Sequence, residues 1–302
     1  MKKYLFFIPL LFLTVNVFGQ NYIDIAKFYY STTPLNNFEN SSARTRLKEL
    51  GLDLTVPVVI NPSHAVLTGL IYERIETKLF ESEPEEMISA IALKMGLAIE
   101  HSDTWSGTYI LLPKLASDFD RITGKDFQLG GIALMKYTKR ENMHYKLGLY
   151  YNTELSGPFV VPLFGLYYLS LDKKFETNLT LPFLADMSYK LHDRMNIGMN
   201  FSGQVRSYHL TKIPTNNNAG YLVKATNELW GYLKFNINKG ISIQTKMGYS
   251  IGRSYRVYEE DEKITFGSVL VKVGDDRPQL NTDFSNGFVF QATLLYRFIQ
   301  DK

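Results

Sequence analysis

The 302-residue chain contains no cysteine, which excludes disulfide frameworks, thiolate metal sites, iron–sulfur clusters and cysteine nucleophiles. It also lacks a strong charge of either sign, because 33 lysines and arginines face 30 aspartates and glutamates. A dedicated nucleic-acid-binding protein would be markedly basic, so no nucleic-acid partner is expected. Aromatic residues are abundant instead, with 20 tyrosines, 20 phenylalanines and 2 tryptophans. This composition indicates a chain rich in β-strands.

The first twenty residues have the three parts of a secretory signal peptide. Lys2 and Lys3 form a basic start, an uncharged apolar stretch follows, and Gly19 supplies a small residue for cleavage. The alternative is a membrane anchor, but the uncharged stretch is shorter than the about 20 residues that a spanning helix needs. We therefore predict a signal peptide over residues 1–19 and an exported mature chain of residues 20–302.

The mature chain lacks any uncharged run suited to a membrane helix. Its longest such run, residues 155–171, contains two glycines and two prolines, which disfavour a helix and fit strands and turns. The exported protein is therefore predicted either to be soluble or to cross a membrane as a β-barrel.

A two-residue alternation is the main structural signal in the second half of the chain. Over residues 240–258 the odd positions are mostly apolar or aromatic, and the even positions are mostly small or polar. This run is much longer than the about 5 to 6 residues of a typical soluble strand. Similar runs and the polar turns between them predict long hairpins, with turns at residues 139–142, 172–174, 192–194 and 238–240. Longer loops are predicted at the opposite rim, over residues 214–220 and 273–287.

The first part of the mature chain gives a weaker signal. Residues 87–99 follow a helix-start pattern at Ser82 and Glu85, but large and small residues alternate within them. We predict a strand there. Residues 22–33 fit either a strand of the barrel or an extension outside it, and the sequence does not separate the two.

The C-terminal segment, residues 288–298, is an aromatic-rich alternating strand. An outer-membrane barrel closes on its first strand in this way, which leaves no open edge. A soluble β-sandwich has less reason to carry the aromatic residues that form girdles at membrane interfaces. We therefore predict an all-β fold, a single transmembrane antiparallel β-barrel of about 12 strands within a range of about 10 to 14. Side chains largely fill the interior of such a barrel, so no large open pore is expected.

Short motifs in the middle of the chain, between about residues 100 and 210, include Asp103-Thr104-Trp105, Ser117-Asp118-Phe119, residues 161–167 and residues 188–191. Their order resembles a family of outer-membrane β-barrel proteins of Gram-negative bacteria that is classed as a domain of unknown function. The resemblance implies a porin-like barrel in the outer membrane, and it brings no catalytic residues with it.

No arrangement typical of an active site or metal centre is found in the sequence. The five histidines are scattered, and none has the spacing of a helical zinc site. His101, Ser102 and Asp103 have the residue types of a nucleophilic system, but consecutive residues cannot face one another across a strand. The acidic clusters at residues 81–86 and 259–262 are interpreted as charged loops rather than calcium sites. No catalytic, cofactor-binding or metal-binding residue is predicted, and the protein is not expected to be an enzyme.

The alternation also predicts which polar residues line the barrel interior. They are Arg206, Lys234, Ser242, Gln244, Lys246, Ser250 and Arg256. Cations there would stay hydrated and would bias passage toward anions. Arg253 has the opposite parity and is predicted to point outward, beyond the hydrocarbon zone.

Two functions fit these observations best, namely a narrow barrel that binds or transports a small molecule and a structural barrel with a filled lumen. Bulky residues predicted to face inward, Trp230, Tyr232 and Tyr258, favour the filled lumen. The alternative is a barrel enzyme acting on lipids, which needs a histidine, a serine and an orienting carboxylate or amide close together. The expected partners are outer-membrane lipids, the barrel-assembly machinery and a small-molecule solute.

Overall fold

The computed structural model of the protein describes residues 22–268 and 272–299, and the predicted signal peptide lies outside these residues. The described chain forms a closed antiparallel barrel of 14 strands. The last strand pairs with the first along its length, so Phe298 lies opposite Ile23 and Phe290 opposite Thr32. The prediction of an all-β barrel closed by the C-terminal strand is confirmed. The strand count is at the upper limit of the predicted range.

The barrel strands are labelled in chain order: β1 Tyr22–Thr32, β2 Lys48–Asn61, β3 His64–Thr77, β4 Glu86–Glu100, β5 Trp105–Ser117, β6 Phe127–Arg140, β7 Met143–Glu154, β8 Gly157–Leu169, β9 Phe175–Leu181, β10 Leu184–His192, β11 Met195–Leu210, β12 Gly220–Asn236, β13 Ile241–Glu259 and β14 Gly287–Ile299. A single 3-10 turn, Gly124–Asp126, precedes β6. Residues 87–99 form a strand as predicted, and the undecided segment at residues 22–33 provides β1. No helix among the described residues is long and apolar enough to cross a membrane.

The two ends of the barrel differ in the length of their connections. At one end of the barrel, called the short-turn end, every connection between strands has two to five residues. The first residue of β1, Tyr22, and the last residue of β14, Ile299, also lie at this end. At the opposite, long-loop end, the longest connections are residues 33–47 and residues 260–286. The predicted short turns all lie at the short-turn end, and the two predicted longer loops, in the connections at residues 211–219 and 260–286, lie at the long-loop end.

A band of large apolar side chains covers the outer wall. Val56, Leu147 and Met199 are 48%, 58% and 66% exposed, and similar residues alternate with inward-facing ones on most strands. So large an exposed apolar surface is unusual for a soluble protein and typical of a wall that faces lipid.

The long-loop end is closed by strands of the barrel itself. The last residues of β11 leave the wall and cross the mouth, so that His209 pairs in parallel with Ser117 of β5. On the same segment, the Ser207 carbonyl accepts a 3.0 Å hydrogen bond from Gln128 of β6. Apolar residues from strands and loops pack around this segment in a mouth core of Phe38, Leu47, Ile75, Leu79, Phe80, Ile88, Ala90, Ala116, Tyr208, Leu210, Ile213, Leu222, Tyr255, Val257 and Phe284. The mouth is therefore sealed by a hydrophobic core.

A β-bulge at Gly252 reverses the alternation of β13. Gly252 has φ +65°, a conformation that favours glycine, and Thr226 of β12 lies opposite two residues there. As a result Arg253 is 4% exposed and donates to Asn36, whereas Arg256 pairs with Asp283. The predictions for both arginines are wrong, because the extra residue at the bulge shifts the two-residue alternation by one position.

Candidate functional site

A cavity of about 480 Å³ lies inside the barrel. It begins near the short-turn end, where Asp24 is 43% exposed, and it ends beneath the mouth core at Glu49 and Lys224. Its volume is in the range of about 300 to 1,000 Å³ that is typical of small-molecule sites. The cavity is therefore the candidate functional site.

The cavity wall carries charges of both signs. The cations are Lys27, Arg206, Lys224, Lys234, Lys246 and Arg297, and the anions are Asp24, Glu49, Glu176, Asp186 and Glu228. Among the described residues, no carboxylate lies within 4.0 Å of the ammonium groups of Lys27, Lys234 or Lys246. These three lysines leave positive charge available for an anionic group.

Four charged residues, two of them fully buried, close the inner end of the cavity. Lys224 Nζ lies 2.7 Å from Glu49 Oε1 and 2.9 Å from Glu73 Oε1, and Arg206 pairs with the other oxygen of Glu73. The side chains of Lys224 and Glu73 are each 1% exposed. This ion cluster contains two cations and two anions, so its formal charges cancel, as burial requires.

Two buried tyrosines connect the ion cluster to the mouth core. Tyr208 Oη donates to Glu73 at 2.9 Å, and Tyr255 Oη donates to Glu49 at 2.8 Å. Both tyrosines belong to the strands that fold across the mouth. The ion cluster thus fixes β11, β12 and β13 against β2 and β3.

An aromatic surface lies in the middle of the cavity. Lys246 Nζ is 5.8 Å from the ring centroid of Trp230 and 5.9 Å from that of Tyr232, and Tyr232 Oη donates to Asp186 at 3.0 Å. Gly248 allows the indole to lie against the wall, since a Cβ there would be 2.6 Å from Trp230 Cε3. The cavity therefore offers a cation beside two ring faces.

One side of the cavity is apolar. It is lined by Ile132, Tyr150, Phe183, Leu184 and Val205, and the rings of Tyr150 and Phe183 meet edge to face at 5.2 Å. Most of this apolar side packs on the buried residues of β8, Phe159, Val161 and Leu163. The cavity thus carries charge along β1, β2 and β9–β14, and its apolar side is formed by β6, β7, the turn at residues 182–183 and the adjoining residues Leu184 and Val205.

Of the seven residues predicted to line the lumen, Arg206, Lys234, Gln244 and Lys246 line the cavity. The other three do not. Ser242 donates to Asn236 near the short-turn end, and Ser250 is fully buried on β13. Arg256 points away from the cavity and pairs with Asp283 beyond the bulge.

Several lining residues escaped sequence reasoning. Lys27 lies on β1, whose place in the barrel the sequence left open, and Lys224 lies in the part of β12 that folds across the mouth. Asp186 lies on β10, where even positions from Asp186 to His192 are polar and the odd positions between them are apolar or aromatic. The even parity on β12, which holds for Lys234, is the signal that would have found Lys224.

None of the five histidines lines the cavity. His209 Nδ1 is 2.6 Å from Asp126 Oδ1 in a buried pair outside the cavity, and His101 Nε2 is 3.1 Å from Tyr109 Oη. In the described part of the chain, no group of three or more histidine or acidic residues could hold a metal ion.

Tyr258, predicted to fill the lumen, does not line the cavity. Its ring stacks instead on the guanidinium of Arg277, whose Cζ is 4.0 Å from the ring centroid.

A closed barrel with an apolar outer band, short turns at one end and long loops at the other belongs to the class of outer-membrane β-barrel proteins. The chain belongs to the family described as a domain of unknown function, DUF6268, which matches residues 23–296. This confirms the resemblance seen in the sequence.

Solved structures similar to this chain are outer-membrane barrels as well. The COG4313 outer membrane channel from Pseudomonas putida F1 has a TM-score of 0.47 and 6% identity, covering 90% of this chain and 93% of that one. The outer membrane phospholipase A from Escherichia coli has a TM-score of 0.38 and 9% identity, covering 91% and 98%. The Pseudomonas putida toluene transporter TodX has a TM-score of 0.37 and 9% identity, covering 91% and 89%. No curated protein matches the sequence.

Proposed function

We propose that the protein is a narrow binding and transport barrel of the outer membrane that takes a small molecule with an anionic group. The observation that carries this proposal is the charged cavity, which runs from the short-turn end to a mouth closed only by non-covalent contacts. Lys27, Lys234 and Lys246 supply the positive charge for the anionic group. Burying so many ionisable groups at membrane depth is energetically costly, and such groups usually mark a binding site or a solute pathway.

The orientation follows from the connections. Outer-membrane barrels have short periplasmic turns and longer extracellular loops. The cavity would then open toward the periplasm, and the mouth core would face the cell exterior. Export through a signal peptide cleaved near Gly19, contact with outer-membrane lipids and insertion by the barrel-assembly machinery belong to the same proposal.

Passage of a solute requires the strand ends that cross the mouth to move. The ion cluster holds them, so loss of Lys224 would leave Glu49 and Glu73 with a single cation, Arg206. An uncompensated buried charge favours hydration of the site. Opening of the mouth is therefore coupled to the integrity of the ion cluster.

A non-catalytic role fits this cavity better than lipid hydrolysis. Ser31, Ser188 and Ser202 line the cavity, but the histidine–carboxylate pair of His209 and Asp126 lies outside it. A serine hydrolase needs its histidine within hydrogen-bond reach of the serine. The arrangement favours binding and passage.

Conductance in planar bilayers tests the proposal. The refolded mature chain is expected to be mostly silent, and Lys224→Met is expected to give stable ohmic steps. Adding Lys246→Glu to the open variant should shift its reversal potential toward cation selectivity. Lys239→Met, a charge loss in an exposed turn, is the matched control and should stay silent. A folded Lys224→Met barrel without conductance would refute transport.

A further inference from the structure

Within the described residues, the short hairpin of β9 and β10 leaves part of the closed barrel's wall without a strand ladder. Strand β9 has 7 residues and β10 has 9, whereas the neighbouring β8 and β11 have 13 and 16. A tilted strand needs about 9 to 11 residues to span a bilayer, so β9 is too short and β10 has only the minimum length. The turn at residues 182–183 therefore lies within the height of the wall. It has β11 on one side, and on the other side the paired, exposed apolar residues Leu181 and Phe164.

Beyond this turn, the described residues form no ladder between the edges of β8 and β11. Strand β8 pairs with β9 no further than Phe164, and β11 pairs with β10 no further than Ser202. Toward the long-loop end, the free edge of β8 is covered by residues 264–267, where Gly267 pairs with Phe159. The gap bounded by residues 160–163, residues 203–206 and the turn is called the notch.

Side chains cover the notch from the barrel interior. The ring of Phe183, from the turn, meets that of Tyr150, and both Phe183 and Val205 pack against the buried residues of β8. The only backbone link from the turn to this part of β11 that the described residues contain is the 2.9 Å hydrogen bond from Gly203 N to Phe183 O. Unpaired strand edges at membrane depth are costly unless covered, so these side chains replace a hydrogen-bonded wall. Rotation of side chains opens such a gap far more readily than the breaking of a ladder.

The residues that fill the notch also form the apolar side of the cavity. Phe183, Val205 and Tyr150 line the same cavity as Lys246 and Lys234. Lys246 has no carboxylate within 4.0 Å among the described residues, and its Nζ contacts Asn200 Oδ1 at 3.3 Å. An anionic head group near these lysines would place an attached apolar chain toward the notch.

We propose that the notch is a lateral portal through which the cavity exchanges a single-chain amphiphile with an anionic head group between the barrel interior and the bilayer. This inference rests on the proposed function, because it names the class of molecule that the charged cavity takes. The head group binds at Lys246 and Lys234, and the chain passes Phe183 and Val205.

Fluorescence quenching tests the portal, because the chain has only two tryptophans. In a Trp105→Phe background the remaining tryptophan is Trp230, which lines the cavity and is 3% exposed. The protein is placed in phosphatidylcholine vesicles, and 9,10-dibromostearate is added. We expect saturable quenching that unbrominated stearate reverses, whereas vesicles of brominated phosphatidylcholine should quench weakly.

Variants separate the portal from its surroundings. Phe183→Ala should raise the rate of quenching several-fold, Val205→Phe should lower it, and Lys246→Gln should weaken stearate binding about tenfold. Phe164→Ala is the matched control, since this phenylalanine lies beside the turn but is 57% exposed on the outer wall. Quenching that stearate does not reverse, or equal rates for Phe183→Ala and Phe164→Ala, would overturn the portal. If Lys224→Met conducts but dibromostearate does not enter, the portal is refuted while the proposed function stands.

Discussion

Replacement of Lys224 by methionine is the sharpest energetic test of how the mouth is closed. The Lys224 side chain is 1% exposed, and its ammonium group bonds two carboxylates at 2.7 and 2.9 Å. Removing one member of a buried ion pair costs about 3 to 5 kcal/mol, because the partner charge stays buried without compensation. Arg206 remains beside Glu73, so we expect the lower part of this range, about 3 kcal/mol.

A second substitution provides the internal check. In Lys224→Met the cluster keeps Glu49, Glu73 and Arg206, whose charges sum to −1. Adding Glu73→Gln restores neutrality, so the double variant should recover about 2 kcal/mol relative to the sum of the single variants. Such non-additivity is expected for residues of one network and absent for independent sites.

The assay is urea-induced unfolding in phospholipid vesicles, followed by tryptophan fluorescence. Lys239→Met controls for the loss of a lysine at an exposed position and should stay within about 0.5 kcal/mol of the parent chain. The reasoning is refuted if Lys224→Met is as stable as this control. It is equally refuted if the effects of Lys224→Met and Glu73→Gln simply add.

Three further predictions follow from other parts of the structure. Gly248→Ala should cost about 1 to 3 kcal/mol and shift the emission of Trp230, since the new Cβ would lie 2.6 Å from the indole; an unchanged spectrum would contradict this. Phe284→Ala, at a 1% exposed position of the mouth core, should lower the free energy of unfolding by about 3 to 5 kcal/mol and speed protease cleavage within residues 260–286. Unchanged cleavage would argue against it. The Lys125 ammonium, 2.6 Å from Glu260, lowers the pKa of that carboxyl below its ordinary 4.5. Its stabilisation, about 0 to 1 kcal/mol for a half-exposed pair, is present above pH 4.5 and is lost as the pH falls through the lower folded-state pKa. Comparison of unfolding midpoints for the parent chain and Glu260→Gln between neutral and acid pH measures it, and a difference that grows on acidification would have the wrong sign.

The strand count illustrates a limit of reasoning from chain length. A prediction of about 12 strands assumed about 20 to 25 residues for each strand with its turn. Strands β9 and β10, with 7 and 9 residues and a two-residue turn, use far less chain than that. Chain length gives only an average strand length, and only the structure reveals that the hairpin of β9 and β10 is much shorter than its neighbours.

The barrel, its closure and the inward or outward direction of most side chains are already encoded in the local sequence. These properties follow from a period of two, which each strand carries independently of its partners. The alternation alone therefore places Lys234, Gln244 and Lys246 in the lumen, where the cavity has them.

The closed mouth, the ion cluster and the notch depend on the tertiary structure. Lys224 and Glu73 are 151 residues apart, and their contact exists only because β11 and β12 leave the wall and cross the barrel. A bulge such as that at Gly252 reverses the local period without a clear signal in composition. Alternation tells which face of a strand a residue occupies, whereas the direction in which the strand runs is set by long-range packing, and that packing gives the cavity its charged end and its apolar side.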